Sequence, residues 1–176
     1  MPTTSTPQTT RRPSKPLYTP EQRVRRDASV WTLVQGILAP LQFLVHLVSL
    51  WLVLSYLATG EGETAANASV VVKTLVLYTI MITGSVWEKD VFGIWLFAEA
   101  FFWEDVVSML VLALHTAYLV CLFAGLLGPR ELMLLALAAY ATYVVNAAQF
   151  VWKLRMARLA SAAAVPFPST SLESAR

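Results

Sequence analysis

The chain has 176 residues, of which 57% are hydrophobic and 14% charged, with a net charge of +2 and one cysteine. Ordinary soluble domains carry about 25% charged residues, and here the apolar residues fall in long blocks without polar faces, which excludes a conventional water-soluble core. One cysteine excludes an intramolecular disulfide, and so small a net charge gives no reason to expect a nucleic-acid partner. The length fits one compact unit. The expected architecture is all-α: a polytopic membrane protein with a bundle of four transmembrane helices, a disordered N-terminal tail and an interfacial aromatic segment.

Residues 1–18 are rich in Thr, Ser, Pro and basic residues and form the expected tail. They do not resemble a signal peptide, so the first hydrophobic helix is expected to direct insertion itself. Order is expected over residues 19–158, with a second tail at 159–176. Thr19, Pro20 and Gln22 spell a capping box with proline at the first helical position. The helix they open carries Arg23, Arg25 and Arg26 along the membrane surface and leads to Trp31, an interfacial anchor. The first span runs from Trp31 to Ala58 with a kink expected at Pro40, and the second from Ser69 to Trp87. The third runs from Glu104 to Leu127, broken by Gly128-Pro129, and the fourth from Pro129 to about Trp152. Cys121, among apolar neighbours in the third span, reads as packing.

Arginine and lysine cluster before Trp31 and after Trp152, whereas the loop between the first two spans has only Glu61 and Glu63 as charged residues and that between the last two has Arg130 as its one cation. The positive-inside rule therefore puts both termini in the cytoplasm, as an even number of spans requires. The stretch Glu88 to Trp103 is too polar to span and too aromatic for a solvent loop. It is expected in the interface, either as an aromatic belt or as a platform for a flat ligand.

Polar residues inside the spans form stripes: Gln35, Gln42, His46 and Ser49 on the first, Glu104, Ser108 and His115 on the third, Asn146 and Gln149 on the fourth. Gln42, Ser49, Ser108, Asn146 and Gln149 read as interhelical glue. His46 and His115 fall near the midplane and stay open among glue, a metal or porphyrin ligand, and a proton donor. Lys73 lies one turn inside the outer interface and is expected to snorkel outward. Glu88, Glu99, Glu104 and Asp105 crowd the cytoplasmic face, with Asp90 nearby. Glu104 and Asp105 suit a helix N-terminus; Glu88, ending the second helix, does not, and becomes a candidate general acid.

The runs YTPEQRVRRDASVWTLVQGILAPLQF, VVVKTLVLYTIMITGSVWEKDVFG, FFWEDVVSMLVLALHTAYL and LALAAYATYVVNAAQF resemble the vinyl bacteriochlorophyllide hydratases of bacteriochlorophyll synthesis. Together they cover most of Tyr18 to Arg158. The resemblance implies hydration of the 3-vinyl group of chlorophyllide a, or of its bacteriochlorin counterpart, to a 1-hydroxyethyl group. It implies a chlorophyllide-type tetrapyrrole as substrate, the lipid bilayer as surroundings, a bacterial inner or photosynthetic membrane as location, and other enzymes of the pathway as candidate partners. That chemistry needs a proton donor, a base for water and a flat apolar slot, with no cofactor and no protein-bound metal. Candidate catalytic residues are Glu104, Glu88, Asp105 and His115, with Glu104 preferred as donor because it shares its stripe with Ser108 and His115. Candidate substrate-binding residues are Lys89, Trp87, Trp103 and His46, and Lys89, Arg25, Arg26 and Lys153 are interfacial cations for the substrate's propionate. Glu104 and His115 lie about 16 Å apart along the helix, so one reacting group cannot contact both. The competing function is a non-catalytic tetrapyrrole or haem carrier with His46 and His115 as axial ligands.

Overall fold

A computed structural model describes residues 17–163, with side chains as far as residue 159. Of the tails expected over residues 1–18 and 159–176, residues 159–163 continue the last helix instead, and residues 1–16 and 164–176 lie outside the described residues. Within them the chain is all-helical: α1 (Pro20–Ala28), α2 (Val30–Thr59), α3 (Glu63–Phe92), α4 (Phe102–Ala124) and α5 (Pro129–Ala163). The last four are each long and apolar enough to cross a bilayer, and the chain is a multi-pass membrane protein.

Local sequence sets the boundaries. Thr19 caps α1 through a complete capping box, its N–H reaching Gln22 Oε1 at 2.9 Å while Gln22 N–H reaches the Thr19 hydroxyl at 3.3 Å. Three helices differ from the sequence reading, the last by running on to Ala163 past the expected Trp152. The third span ends earlier, because Gly125 adopts φ +62° and its N–H closes on Cys121 O. The first glycine able to take the left-handed turn stops the helix, ahead of Gly128-Pro129. The second span is longer at both ends than Ser69–Trp87, since flanking polar residues stay helical outside the apolar stretch. Leu17 and Tyr18, at the edge of the expected tail, pack on the bundle: the Tyr18 ring stacks on Phe92 with centroids 5.8 Å apart.

The spans form two hairpins, α2 with α3 and α4 with α5, which pack less extensively on each other. Apolar side chains such as Trp51, Phe123 and Trp152 are exposed and face outward, whereas Gln42, His46, Ser49, Ser108 and His115 are buried. That is the inside-out distribution lipid demands. Because lipid tails are as apolar as leucine, polar contacts and close packing hold the helices together. Gln35 Nε2 donates to the Thr83 hydroxyl at 2.7 Å, Tyr118 to Asn67 Oδ1 at 2.6 Å, and Asn146 Nδ2 to the Ser108 hydroxyl at 2.7 Å. Ser49 joins both Ser69 and Tyr140. The glue reading therefore holds for Ser49, Ser108 and Asn146. It does not hold for Gln42, whose side-chain nitrogen and oxygen are buried without partners among the described residues.

Lys73 overturns its expectation. It does not snorkel but is 0% exposed, with Nζ 3.8 Å from the Tyr143 ring centroid and 5.5 Å from that of Tyr140. Depth along a helix says how far a lysine must reach, not toward which side it points. At position 73 the α3 face turns into the bundle, between Val70 and Leu77, which are also buried.

Candidate functional site

Two buried polar centres occupy the bundle, at different depths. The first lies where α3 ends and α4 begins, under residues 93–101, an irregular segment that folds back on the helices. An irregular backbone at a membrane boundary needs partners for its polar groups, and side chains from three helices supply them. Glu88 Oε2 accepts the Ala98 N–H at 3.1 Å and Asp105 Oδ2 accepts the Phe97 N–H at 2.9 Å. The Ser85 hydroxyl donates to Trp95 O at 2.7 Å, and Lys153 Nζ donates to Ala100 O. Phe97 sits at φ +62°, a conformation costly for a non-glycine residue, and the Asp105 carboxylate holds its N–H there.

Glu88, Glu104 and Asp105 are all buried. Glu104 forms an ion pair with Lys153. Glu88 and Asp105 meet under the folded-back segment, where their carboxyls accept from the consecutive Ala98 and Phe97 N–H groups. Two carboxyls buried side by side repel each other when both are ionised, which favours one proton held between them. Asp105 stands about 100° around α4 from Glu104. It is buried as well, since the folded-back segment covers the side of α4 that the other helices leave open.

The remaining sequence candidates are spread around this centre. The Trp87 Nε1–H donates to the Thr32 hydroxyl at 2.9 Å, and its ring meets Phe92 and Phe101 edge-on. Lys89 is exposed, donates to Gly93 O at 2.8 Å and lies 6.0 Å from the Trp95 ring centroid, a helix C-cap rather than part of the buried set. Trp103 is 70% exposed and faces outward, and Glu99 and Asp90 are exposed too.

The second centre lies between the hairpins: His46 from α2, Lys73 from α3, His115 from α4, Tyr140 and Tyr143 from α5. Tyr140 is its hub, with ring centroids 5.0 Å from His46 and 5.9 Å from His115. The His115 Nδ1 lies 2.8 Å from Val111 O. A carbonyl only accepts, so Nδ1 carries the proton and Nε2 is left as a bare lone pair. His115 Nε2, His46 Nδ1 and Lys73 Nζ are all buried without hydrogen-bond partners among the described residues. Sequence reasoning found both histidines. It missed Lys73 as their neighbour, and a buried lysine three residues after buried Val70 and four before buried Leu77 was the available signal.

Comparison with known proteins adds the decisive observation. Residues 18–156 match the 2-vinyl bacteriochlorophyllide hydratase family. The chain belongs to that family. A 2-vinyl bacteriochlorophyllide hydratase of Cereibacter sphaeroides is 69% identical over 84% of this chain and 91% of its own length. One of Rhodobacter capsulatus is 65% identical over 84% of this chain and 86% of its own length. No solved structure matches. Both buried centres fall inside the span that matches the hydratase family, whereas the N-terminal 17 residues fall outside it.

Proposed function

We propose that the chain adds water to the vinyl group of a bacteriochlorophyllide-type tetrapyrrole, and that the Glu88–Asp105 pair supplies the proton. (The 2-vinyl group in the relatives' name and the 3-vinyl group above are one substituent under older and newer ring numbering.) The observation that carries the assignment is two buried carboxyls, Glu88 and Asp105, anchored on the adjacent Ala98 and Phe97 amides beside the interface, where a shared proton relieves their like charge. Hydration begins when that proton goes to the terminal vinyl carbon, the C=C π electrons forming the new C–H bond. The cation left on the carbon attached to the ring is delocalised into the macrocycle. Water attacks that carbon and forms the C–O bond, and its surplus proton returns to the carboxylate pair. The pair ends as it began, and the net change is the addition of one water.

The remaining parts take supporting roles in this reading. Lys153 neutralises Glu104, so the centre does not hold three full negative charges. The rings of Trp87, Phe92 and Phe101 give the macrocycle an apolar wall. The carboxylate end faces the cytoplasm of a bacterial inner or photosynthetic membrane, where water is at hand. An insoluble pigment passed within one membrane also favours contact with the enzymes that make and use it.

The test is conversion. Membranes containing the chain turn a 3-vinyl chlorophyllide into its 3-(1-hydroxyethyl) form without added cofactor. Loss of a conjugated vinyl group shortens the chromophore, so the red absorption band moves to the blue. An unchanged band, with the chain correctly inserted, overturns the assignment.

A further inference from the structure

The hydration chemistry above uses the carboxylate centre and leaves the second centre without a task. Its most unusual member is Lys73, a fully buried lysine that makes no described ion pair. An ammonium in an apolar interior is costly unless an anion accompanies it. Its surroundings here are two tyrosine rings, which themselves pack on the His46 and His115 imidazoles. The other lysines near the site are satisfied. Lys153 has Glu104 and Ala100 O, and Lys89 has Gly93 O.

We infer that Lys73, flanked by His46 and His115, is the receptor for the substrate's propionate carboxylate, placed inside the membrane between the two hairpins. The inference rests on the reading of the substrate as a bacteriochlorophyllide, a tetrapyrrole with a free carboxylic acid. The unpartnered atoms complement that group. Lys73 Nζ and the N–H tautomer of His46 at Nδ1 donate to the two carboxylate oxygens, while the His115 Nε2 lone pair accepts a remaining ammonium N–H. Charge need not be carried into the apolar phase. A neutral amine and a neutral carboxylic acid meet, the acid proton moves from oxygen to nitrogen, and the ion pair forms in place.

The spacing agrees with this placement. Asp105 and His115 lie ten residues apart on α4, about 15 Å along its axis. That is the scale of a tetrapyrrole with its side chains, so the carboxylate can rest at Lys73 while the vinyl group reaches the Glu88–Asp105 pair. The macrocycle then stands between hairpins that pack more loosely on each other than within themselves. Gln42 lies one turn before His46 on α2, and Asn146 and Gln149 lie between Tyr143 and Lys153 on α5, each with a buried atom unpartnered among the described residues.

The experiment compares the free acid of one vinyl pigment with its methyl ester on the full chain, wild type and Lys73→Met. Binding is followed by absorbance titration and turnover by the blue shift. The wild type should bind the acid about 10–100-fold more tightly than the ester, the size of a charge-assisted hydrogen bond. Lys73→Met should bring acid binding down to the ester's level and raise KM for the acid to that for the ester. A wild type that does not distinguish acid from ester overturns the inference, and that arm needs no variant to fold. A preference that survives in Lys73→Met overturns it too. Tight, acid-selective binding without hydroxyethyl product would retain this site and defeat the hydratase reading instead.

Discussion

Glu88 and Asp105 come from different helices, seventeen positions apart, and nothing in the one-dimensional pattern links them. The sequence preferred Glu104 as donor because it shares a stripe with Ser108 and His115. The stripe is real, and all three residues are buried. What a stripe cannot show is the partner, and Glu104 is paired with Lys153, forty-nine positions away. Glu104 is engaged by the Lys153 ammonium, whereas two carboxyls facing each other can hold a proton between them and donate it. Asp105→Asn keeps an oxygen for the Phe97 N–H but removes the acid pair. Turnover should fall by about 10²–10⁴-fold, the usual worth of a general acid, with pigment affinity nearly unchanged. Glu104→Gln should cost less turnover than Asp105→Asn, because it alters the neighbour of the acid and not the acid. The reverse ranking in steady-state kinetics would return the donor role to Glu104.

At the scale of elements, the helices were legible because their determinants are local. Caps, glycines and apolar runs act within a few residues, so the α1 capping box and the extent of α2 follow from the sequence directly. The segment 93–101 was legible only in outline. Its aromatic density puts it at the boundary, but its conformation is set by side chains from α3, α4 and α5 that satisfy its backbone. Those partners are tertiary facts. Ala98→Pro deletes the N–H that Glu88 accepts and crowds Phe97 in its left-handed conformation. The variant should keep its four spans yet be cut faster by trypsin at Lys89, with hydration reduced as the Glu88 carboxyl loses an anchor. Unchanged protection at Lys89 would mean that packing of Phe101 against Trp87 and Phe150 holds the segment without that hydrogen bond.

For the whole molecule, the proposed chemistry depends on which end of the bundle meets the cytoplasm. The four-span architecture was readable because a bilayer imposes a length and a composition that few other structures share. The contents of the bundle interior were less so, as Lys73 illustrates: the bilayer constrains what faces lipid but leaves the inward faces to be settled by neighbours. Orientation rests on arginine and lysine, which cluster before Trp31 and from Lys153 onward, and on an even number of spans that returns both termini to one side. The carboxylate centre lies at that same end, beside Lys153, so orientation also decides where the reacting water comes from. A reporter active only outside the cytoplasm, fused at Gly62 or Gly128, should be active, because those glycines join α2 to α3 and α4 to α5 at the opposite end. Fused after Arg158, it should be silent. The opposite pattern would put the Glu88–Asp105 pair on the outer face and Lys73 in the inner half of the bilayer. The propionate would then enter from the cytoplasmic side and the proton from outside, reversing the direction in which the substrate is presented.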